Sequence, residues 1–497
     1  MLDLSAITPR RWALTWLAGV GSFLGISTAM AWAQQAPAQP PPGPEKALEF
    51  LSAHAAMNSE VYYFWTIVVM WLIHCGFMTY ETGVARRKNM MHVVMKNVGL
   101  IPVVTVSMYF PGWWLYNAMV DGFVPRGTDD PLVAASIPWG ASMGPNLQDH
   151  ITGVFWGAFI LFSWTTASIM SGAVIERIRQ GAFLVLAALL GSVVWIVDAA
   201  WGWHPNGWLA MKWGFHDAIA SGVVHGVAGA FTLGVLFNLG PRIGKFAPDG
   251  TPRYLPPHNL WMTVLGLFLI FTGFFGFYAA CLVFFVGPEQ WLWGNIYGSP
   301  TTLGSIFFNF VMGWSGGAMA GYMFSTPKRD PFWYCSCALA GVVSVSAGAD
   351  IFYPPLGFLV GFIGAILCIG WYTFGERVLK VDDAVGAVAV HGAAGFWGVL
   401  AVGLFAAGYP TGANNVPSTL LGQIIGILVF IPLGFVPGFV VSWLFKRANL
   451  LRIPEEVEVV GQDTFVYGDM YPEFPRAPEP AWAPLAGGSD APMPGTR

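Results

Sequence analysis

The sequence predicts an all-α membrane protein with eleven transmembrane helices, built as two inverted halves of five helices with one helix added at the end. Three observations lead to this prediction. The 497 residues are 55% hydrophobic and only 10% charged. They contain a series of long apolar stretches, and one pattern, D-A-x6-H-G-x-A-G, occurs at both residues 217–229 and residues 383–395.

The composition excludes several classes of protein. A soluble globular chain carries about 25% charged residues, so a chain with 10% belongs in a membrane. The formal net charge of -4 argues against a nucleic-acid partner, because binding to phosphates needs a basic surface. The five cysteines all lie in apolar segments, and they are too few and too deeply placed for a disulfide framework.

The N-terminal residues 1–33 resemble a secretory signal peptide. Arg10 and Arg11 precede an apolar run, and Ala31-Trp32-Ala33 has the pattern of a cleavage site. A genuine first transmembrane helix is the alternative. Residues 34–58 are rich in proline at their start, and we expect them to form a flexible periplasmic lead before a transmembrane domain at residues 59–446.

Eleven apolar stretches are long enough to cross a bilayer, which takes about 20 helical residues. They cover residues 60–83, 91–116, 151–174, 181–201, 217–238, 259–285, 301–325, 332–349, 354–374, 384–407 and 418–445. Almost every Lys and Arg after the lead lies in alternate connections, such as ARRKN and ERIR, or in the tail. The other connections carry only Arg126 and Lys212, so the positive-inside rule predicts an outer N-terminus and an inner C-terminus.

The repeated pattern begins the fifth and the tenth stretch, so the two copies run in opposite directions through the membrane. This is the signature of an inverted repeat, which places a substrate site where the halves meet. Asp217 precedes His225 by eight residues, and Asp383 precedes His391 by eight. We expect Asp217 at the outer end and Asp383 at the inner end, each capping its helix, with both histidines near mid-depth.

Two facing imidazoles limit the chemistry of the predicted site. Ionisable residues inside a membrane are functional by default. Two nitrogen ligands without a nearby carboxylate or thiolate leave a zinc site half filled, so we expect no metal or other cofactor and no enzyme activity. A narrow pore fits best, because neutral imidazole offers one hydrogen-bond donor and one acceptor to a small polar molecule. A diheme electron carrier is the remaining alternative at this point.

Several motifs beyond the pair resemble those of ammonium transporters of the Amt/Rh family. They are SGAVIERIR at the end of the third stretch, GFFGFYAA in the sixth, DDAVGAVAVHG in the tenth and LRIPEEVEVVGQD after the last. The resemblance covers nearly the whole chain after the signal peptide. It implies a homotrimer in which each subunit conducts ammonium or ammonia, and methylammonium as a further substrate, along a path lined by the two histidines.

The resemblance also implies roles for individual residues. His225 and His391 match the pore histidines, and Phe162 and Phe277 match stacked phenylalanines that close the outer mouth. The external ammonium site is expected to comprise Trp201, Asp217, Cys281 and Phe162. In this scheme ammonium sheds a proton at the mouth and neutral ammonia passes the phenylalanines. A separate path for the proton, which would make transport electrogenic, is left open.

This chain departs from the common bacterial pattern of the family at the outer site. Cys281 stands where a serine is usual, Phe274 replaces a tryptophan and Tyr278 an asparagine. In the first stretch, we expect Glu81 to form a structural ion pair near Arg86 and Arg87, and His74 to be a core residue.

The tail at residues 447–497 completes the predicted organisation. Its first half resembles the cytoplasmic segment that in this family packs against neighbouring subunits and responds to PII signalling proteins. Its last half is predicted to be disordered. It is too short to hold a kinase or cyclase domain, which favours a transporter over an Amt-like ammonium sensor, although a sensor with a separate partner stays open. The predicted location is a bacterial inner membrane.

Overall fold

A computed structural model of the protein describes residues 43–145, 149–286, 291–327, 330–411 and 416–468. The predicted signal peptide, the start of the lead at residues 34–42 and the tail beyond residue 468 lie outside these residues.

Long helices dominate the described residues, and we number them α1 to α11. They are α1 Pro44–Val84, α2 Arg87–Ala118, α3 Thr152–Ala173, α4 Gln180–Gly202, α5 Ser221–Leu239, α6 Leu260–Ala280, α7 Leu303–Ser325, α8 Pro331–Gly348, α9 Pro354–Leu379, α10 Val388–Phe405 and α11 Leu420–Arg447. Each predicted stretch overlaps one of them.

Ten of the described helices, all except α7, have the length and apolar composition of a membrane span. Helix α7 has 23 residues, but its glycines and polar residues lower its hydropathy. Those glycines bring neighbouring helices close, because a Cβ at Gly313 would lie 2.5 Å from Val345 of α8 and a Cβ at Gly316 2.9 Å from the backbone of Phe362 of α9. Small residues that allow such approach are common where membrane helices pack.

Two parts of the fold differ from the sequence prediction. Helix α1 begins at Pro44, so residues 44–58, expected to belong to a flexible lead, are helical. Proline is favoured in the first helical turn, and the Ala, Glu, Leu and Met that follow are strong helix formers.

The all-α prediction also misses short strands after α6 and α10. Strands β1 Leu282–Val286, β2 Trp291–Asn295 and β3 Pro300–Thr301 form an antiparallel sheet, and β4 Pro410–Thr411 pairs with β5 Val416–Pro417. The residues of β1 are apolar and aromatic, which is equally consistent with the end of a long apolar helix and with a strand.

The connections predicted to be inner meet in one ionic network. Arg86, after α1, pairs with Glu176 after α3. Arg242, after α5, donates to Asp382 before α10 at 2.9 Å, and Ile243 N donates to Glu458 of the tail at 2.7 Å. These contacts place alternate connections and the start of the tail on one side of the helices.

The remaining connections meet on the opposite side. His216, before α5, lies 3.2 Å from Asp350, before α9, and Asp350 accepts a hydrogen bond from Asn295 of β2 at 2.7 Å. Thr419 N, before α11, donates to Gly214 O at 3.1 Å. We call this the outer side and the other the inner side, in the sense that the charge distribution predicts.

Candidate conduction site around two facing histidines

The two repeated histidines lie against each other in the interior of the protein. The Nδ1 atoms of His225 and His391 are 3.0 Å apart, and the ring centroids are 5.1 Å apart with the planes inclined by 23°. A hydrogen bond between these nitrogens requires one ring to donate from Nδ1 and the other to accept. His225 Nε2 is buried without a protein partner, so one hydrogen-bonding position of the pair is unused.

Aspartates hold the start of each histidine helix, as the sequence predicts. The Asp217 carboxylate accepts from the backbone N–H groups of Ser221, Gly222 and Val223 at 2.7 to 2.9 Å. Asp383 accepts in the same way from Ala387 and Val388 at 2.8 and 2.7 Å. Because a helix start leaves N–H groups without partners, a carboxylate there stabilises it by hydrogen bonding and by the helix dipole.

The segments between aspartate and helix are not helical, which differs from the eight-residue helical spacing assumed from the sequence. Ala220 has φ +72° and Gly386 φ +74°, at equivalent positions of the two copies. A left-handed residue costs an alanine about 1–2 kcal/mol. Each chain therefore turns sharply, and His225 and His391 fall within the first helical turn, which is π-helical in both copies (Ser221–Gly226 and Val388–Ala393).

Glycines bring α5 and α10 into backbone contact, and the order of contacts shows that the helices run in opposite directions. A Cβ at Gly222 would meet Val399 at 2.6 Å, one at Gly226 would meet Phe396 at 2.6 Å, and one at Gly229 would reach Gly392 N at 2.5 Å. As the residue number rises along α5, the number of the residue that it contacts on α10 falls. This arrangement is the one that the inverted-repeat hypothesis requires.

Aromatic rings extend the histidine pair into a column. The Phe162 and Phe277 rings are 4.4 Å apart at 65°, and Phe277 stacks on His225 at 5.9 Å and 25°. On the other side of the pair, Phe77 lies 6.1 Å from His391. Phe162 and Phe277 are at most 1% exposed, so rings close the column on its outer side.

The tryptophan beside the Phe162–Phe277 pair is Trp203, and the structure does not bring Trp201 to this pair. The Trp203 ring lies 5.2 Å from Phe162 at 84°, and its Nε1 donates to Asp217 O at 2.6 Å. Trp201 instead donates to Met119 O at 2.8 Å and contacts the rings of Phe123 and Trp208. The segment AAWGW contains both indoles, and of the two it is Trp203, which the sequence prediction did not name, that contacts Phe162.

Cys281 and the two other departures from the family pattern lie on or just after the end of α6, near Phe277. The Cys281 thiol donates to Phe277 O at 3.4 Å and is 1% exposed. The Phe274 ring lies 5.9 Å from His225, and the Tyr278 hydroxyl bonds with Ser346 at 2.6 Å. The thiol is therefore one helical turn from Phe277, while Tyr278 has its own partner.

Charge at the two ends of the column comes from the capping aspartates, which lie just outside the spans. Burial raises the pKa of Asp217 to about 6, opposed by its three backbone hydrogen bonds. Burial raises the pKa of Asp383 to about 6 in the same way. Among the residues that the structure describes, no group of three or more His, Cys, Asp and Glu is placed to hold a metal ion.

The sequence interpretation of Glu81 and His74 needs one correction. Glu81 pairs with Lys96, 3.6 Å away, whereas Arg86 pairs with Glu176. His74 is a satisfied core residue that bonds Ser168 Oγ and Asn97 O, each at 3.1 Å. Lys96 lies inside α2, and its distance along the sequence from Glu81 concealed the pair.

The fold and site together define a multi-pass membrane protein whose helices enclose a column of aromatic rings with two buried histidines. Comparison with known proteins gives the family. Residues 61–471 match the Ammonium Transporter Family, and the chain belongs to it.

Similarity to individual proteins is consistent with this family. The chain is 30% identical over 435 residues to "Ammonium transporter Amt2" of Archaeoglobus fulgidus, covering 82% of this chain and 88% of the relative. A solved "Sensor Amt Protein" has a TM-score of 0.71 at 23% identity, covering 84% of this chain and 100% of that one. Mep2 of Candida albicans has a TM-score of 0.66 at 22% identity, covering 84% and 92%. These two structures show that the fold is shared.

Proposed function

We propose that this protein moves ammonium across a membrane by separating it into ammonia and a proton, and that ammonia passes His225 and His391. The observation that carries the proposal is the buried imidazole pair, with its nitrogens 3.0 Å apart, in line with the Phe162–Phe277 gate. The family and its ammonium transporters support the substrate.

Desolvation is the reason for separating the proton. Moving a bare cation into a medium of dielectric constant about 4 costs on the order of tens of kcal/mol, which apolar walls cannot offset. Potassium has no way around this cost, whereas ammonium can give up a proton and continue as a neutral molecule. Neutral ammonia can then exchange hydrogen bonds with imidazole nitrogens, of which His225 Nε2 has no protein partner.

Recruitment takes place at the outer end of the ring column. Phe162 and Trp203 pack edge to face there, both buried, and an aromatic ring attracts a cation by about 0.5–2 kcal/mol. Asp217 adds negative charge behind Trp203, whose indole donates to the Asp217 carbonyl. Asp383 has the equivalent position at the inner end. Trp203 takes the role that the sequence resemblance gave to Trp201.

The wider organisation follows the same proposal. All eleven long helices cross the membrane, with the N-terminus outside and the C-terminus inside a bacterial inner membrane, and three subunits form the working unit. Helix α7 supports the count of eleven crossings. Its start lies beside Asp350 on the outer side, and Asp330, after its end, shares a cavity with Lys245 and Arg253 of the inner side.

The tail docks on the inner connections, where a PII signalling protein has access to it. Methylammonium is a further substrate.

Ammonium-evoked current in reconstituted vesicles tests the proposal. Wild-type protein should carry current on an ammonium pulse, and a His225→Ala/His391→Ala variant that stays folded should lose it. Wild-type protein that binds ammonium without any flux of ammonium or ammonia would instead indicate a sensor. A visible haem spectrum in the purified protein would indicate an electron carrier.

A further inference from the structure

A small cavity lies on the inner side of the histidine pair, between α1, α3 and α10. Its volume is about 20 Å³, and its polar lining includes His391, Glu81 and Ser168. A water molecule needs about 10–15 Å³ of such space and two to four polar partners. The cavity therefore has room for one water among side chains that include the imidazole of His391 and the carboxylate of Glu81.

The two oxygens of the Glu81 carboxylate have different surroundings. Oε2 accepts from Asn97 Nδ2 at 3.0 Å and from Ser171 Oγ at 2.7 Å, and it lies 3.6 Å from Lys96 Nζ. Oε1 is buried and has no protein partner. A buried carboxylate oxygen without a partner is unfavourable, so Oε1 requires a proton, a water or a ligand.

The other polar groups near Glu81 already have partners. Lys96 Nζ donates to Ser171 O at 2.6 Å, Ser168 Oγ bonds His74, and the Tyr80 hydroxyl bonds Ser336 at 3.0 Å. The cavity thus joins two groups that exchange protons readily, His391 and Glu81, with one carboxylate oxygen uncommitted.

We propose that Glu81 is a proton-exchanging residue of the conduction path, on the inner side of the histidines. The Glu81 carboxylate accepts, through the cavity water, the proton that protonated His391 gives up. The resulting carboxylic acid then donates this proton to ammonia, which leaves as ammonium and restores the carboxylate. The proton shed by ammonium at the outer gate is the one consumed, so atoms and charge balance. This inference rests on the proposed function.

The test compares charge movement with ammonia movement in the same vesicles. Net entry of ammonium produces current, whereas entry of ammonia alone makes the lumen alkaline faster than in protein-free vesicles. Glu81→Gln should lower the current at least tenfold while alkalinisation continues or increases. Glu81→Asp, which keeps a carboxylate, should recover part of the current. Glu60→Gln removes a partly exposed carboxylate from the same helix and should behave as wild type.

A double variant separates this role from the ion pair with Lys96. Glu81→Gln/Lys96→Met removes both buried charges together, a replacement that proteins often tolerate, and should show the same loss of current with retained alkalinisation. Current that persists in the double variant would overturn the inference. So would equal loss of current and alkalinisation in Glu81→Gln and the double variant, which would mean that Glu81 only maintains the fold. Wild-type protein without ammonium-dependent flux would overturn the proposed function as well.

Discussion

The backbones of Gly229 and Gly392 touch where α5 crosses α10, and a Cβ at Gly229 would lie 2.5 Å from Gly392 N. This contact is one helical turn from His225 and adjacent to His391. Neither backbone can move aside without moving its helix, and the helices carry the histidines. The separation of the imidazoles therefore depends on the absence of a side chain at position 229.

Gly229→Ala should therefore reduce both stability and transport. Overpacking a close contact costs about 1–3 kcal/mol, which we expect to appear as a lower melting temperature in detergent and as loss of ammonium-evoked current. Gly392→Ala should be milder, because its Cβ would lie 3.3 Å from Gly229 Cα. Gly370→Ala is the matched control, since a Cβ there has nothing within 4 Å. Equal melting temperatures for all three variants would contradict this account.

Trp203, rather than Trp201, should govern the outer site. Trp203→Leu removes the ring that packs 5.2 Å from Phe162 and should weaken apparent ammonium affinity about two- to thirtyfold, as expected for loss of a cation–π contact of about 0.5–2 kcal/mol. Trp201→Leu removes an indole that contacts Phe123 and Trp208 instead. Its effect should be on stability, with affinity unchanged. Concentration dependence of the current measures both, and the opposite ranking would restore the sequence prediction.

The repeat explains how much of the site could be predicted from the sequence. Two identical spacings from Asp217 to His225 and from Asp383 to His391 carry their own symmetry, so the pairing of the histidines and the capping aspartates followed without coordinates. The choice between Trp201 and Trp203 did not follow. Trp201 lies in the last turn of α4 and Trp203 just after its end, and only the position of Phe162 shows which indole packs against the Phe162–Phe277 pair.

Elements outside the repeat were harder to predict, because local sequence does not determine them. The apolar run that ends α6 continues into β1, and hydropathy does not distinguish a helix end from a strand. Glu81 has Arg86 and Arg87 close in sequence, yet its partner is Lys96 on α2. The pair forms because α1 and α2 pack side by side, which local sequence does not encode.

Apparent ammonium affinity should depend on pH through Asp217. Burial raises the pKa of this carboxyl to about 6, so its charge is present above that pH and is lost as the pH falls below it. Affinity should therefore weaken as external pH drops from 7 to 5. Total ammonium stays almost entirely protonated over this range, so the substrate itself does not change.

Asp217→Asn provides the control for this pH dependence. Asn cannot ionise, so the variant should have weak affinity that is nearly independent of pH between 5 and 7. It also replaces a carboxylate that accepts three backbone hydrogen bonds, and the protein should melt at a lower temperature because a helix cap contributes about 1 kcal/mol. A steep pH dependence that survives in Asp217→Asn would assign the titration to another group.

Cys281→Ser should tighten apparent ammonium affinity modestly. Burial raises the pKa of the Cys281 thiol well above its ordinary value, so the group is a neutral S–H, and it already donates to Phe277 O at 3.4 Å. Sulfur is a weak acceptor, whereas a serine hydroxyl in the same place can donate to that carbonyl and still accept from ammonium. A hydrogen bond of this kind contributes about 0.5–1.5 kcal/mol, or about two- to tenfold in affinity.

Cys281→Ala is the control for this prediction. It removes donor and acceptor alike, and the variant should bind ammonium no more tightly than wild type. If Cys281→Ser leaves affinity unchanged or weakens it, position 281 does not contact the cation, and the outer site consists of the aromatic rings and Asp217 alone.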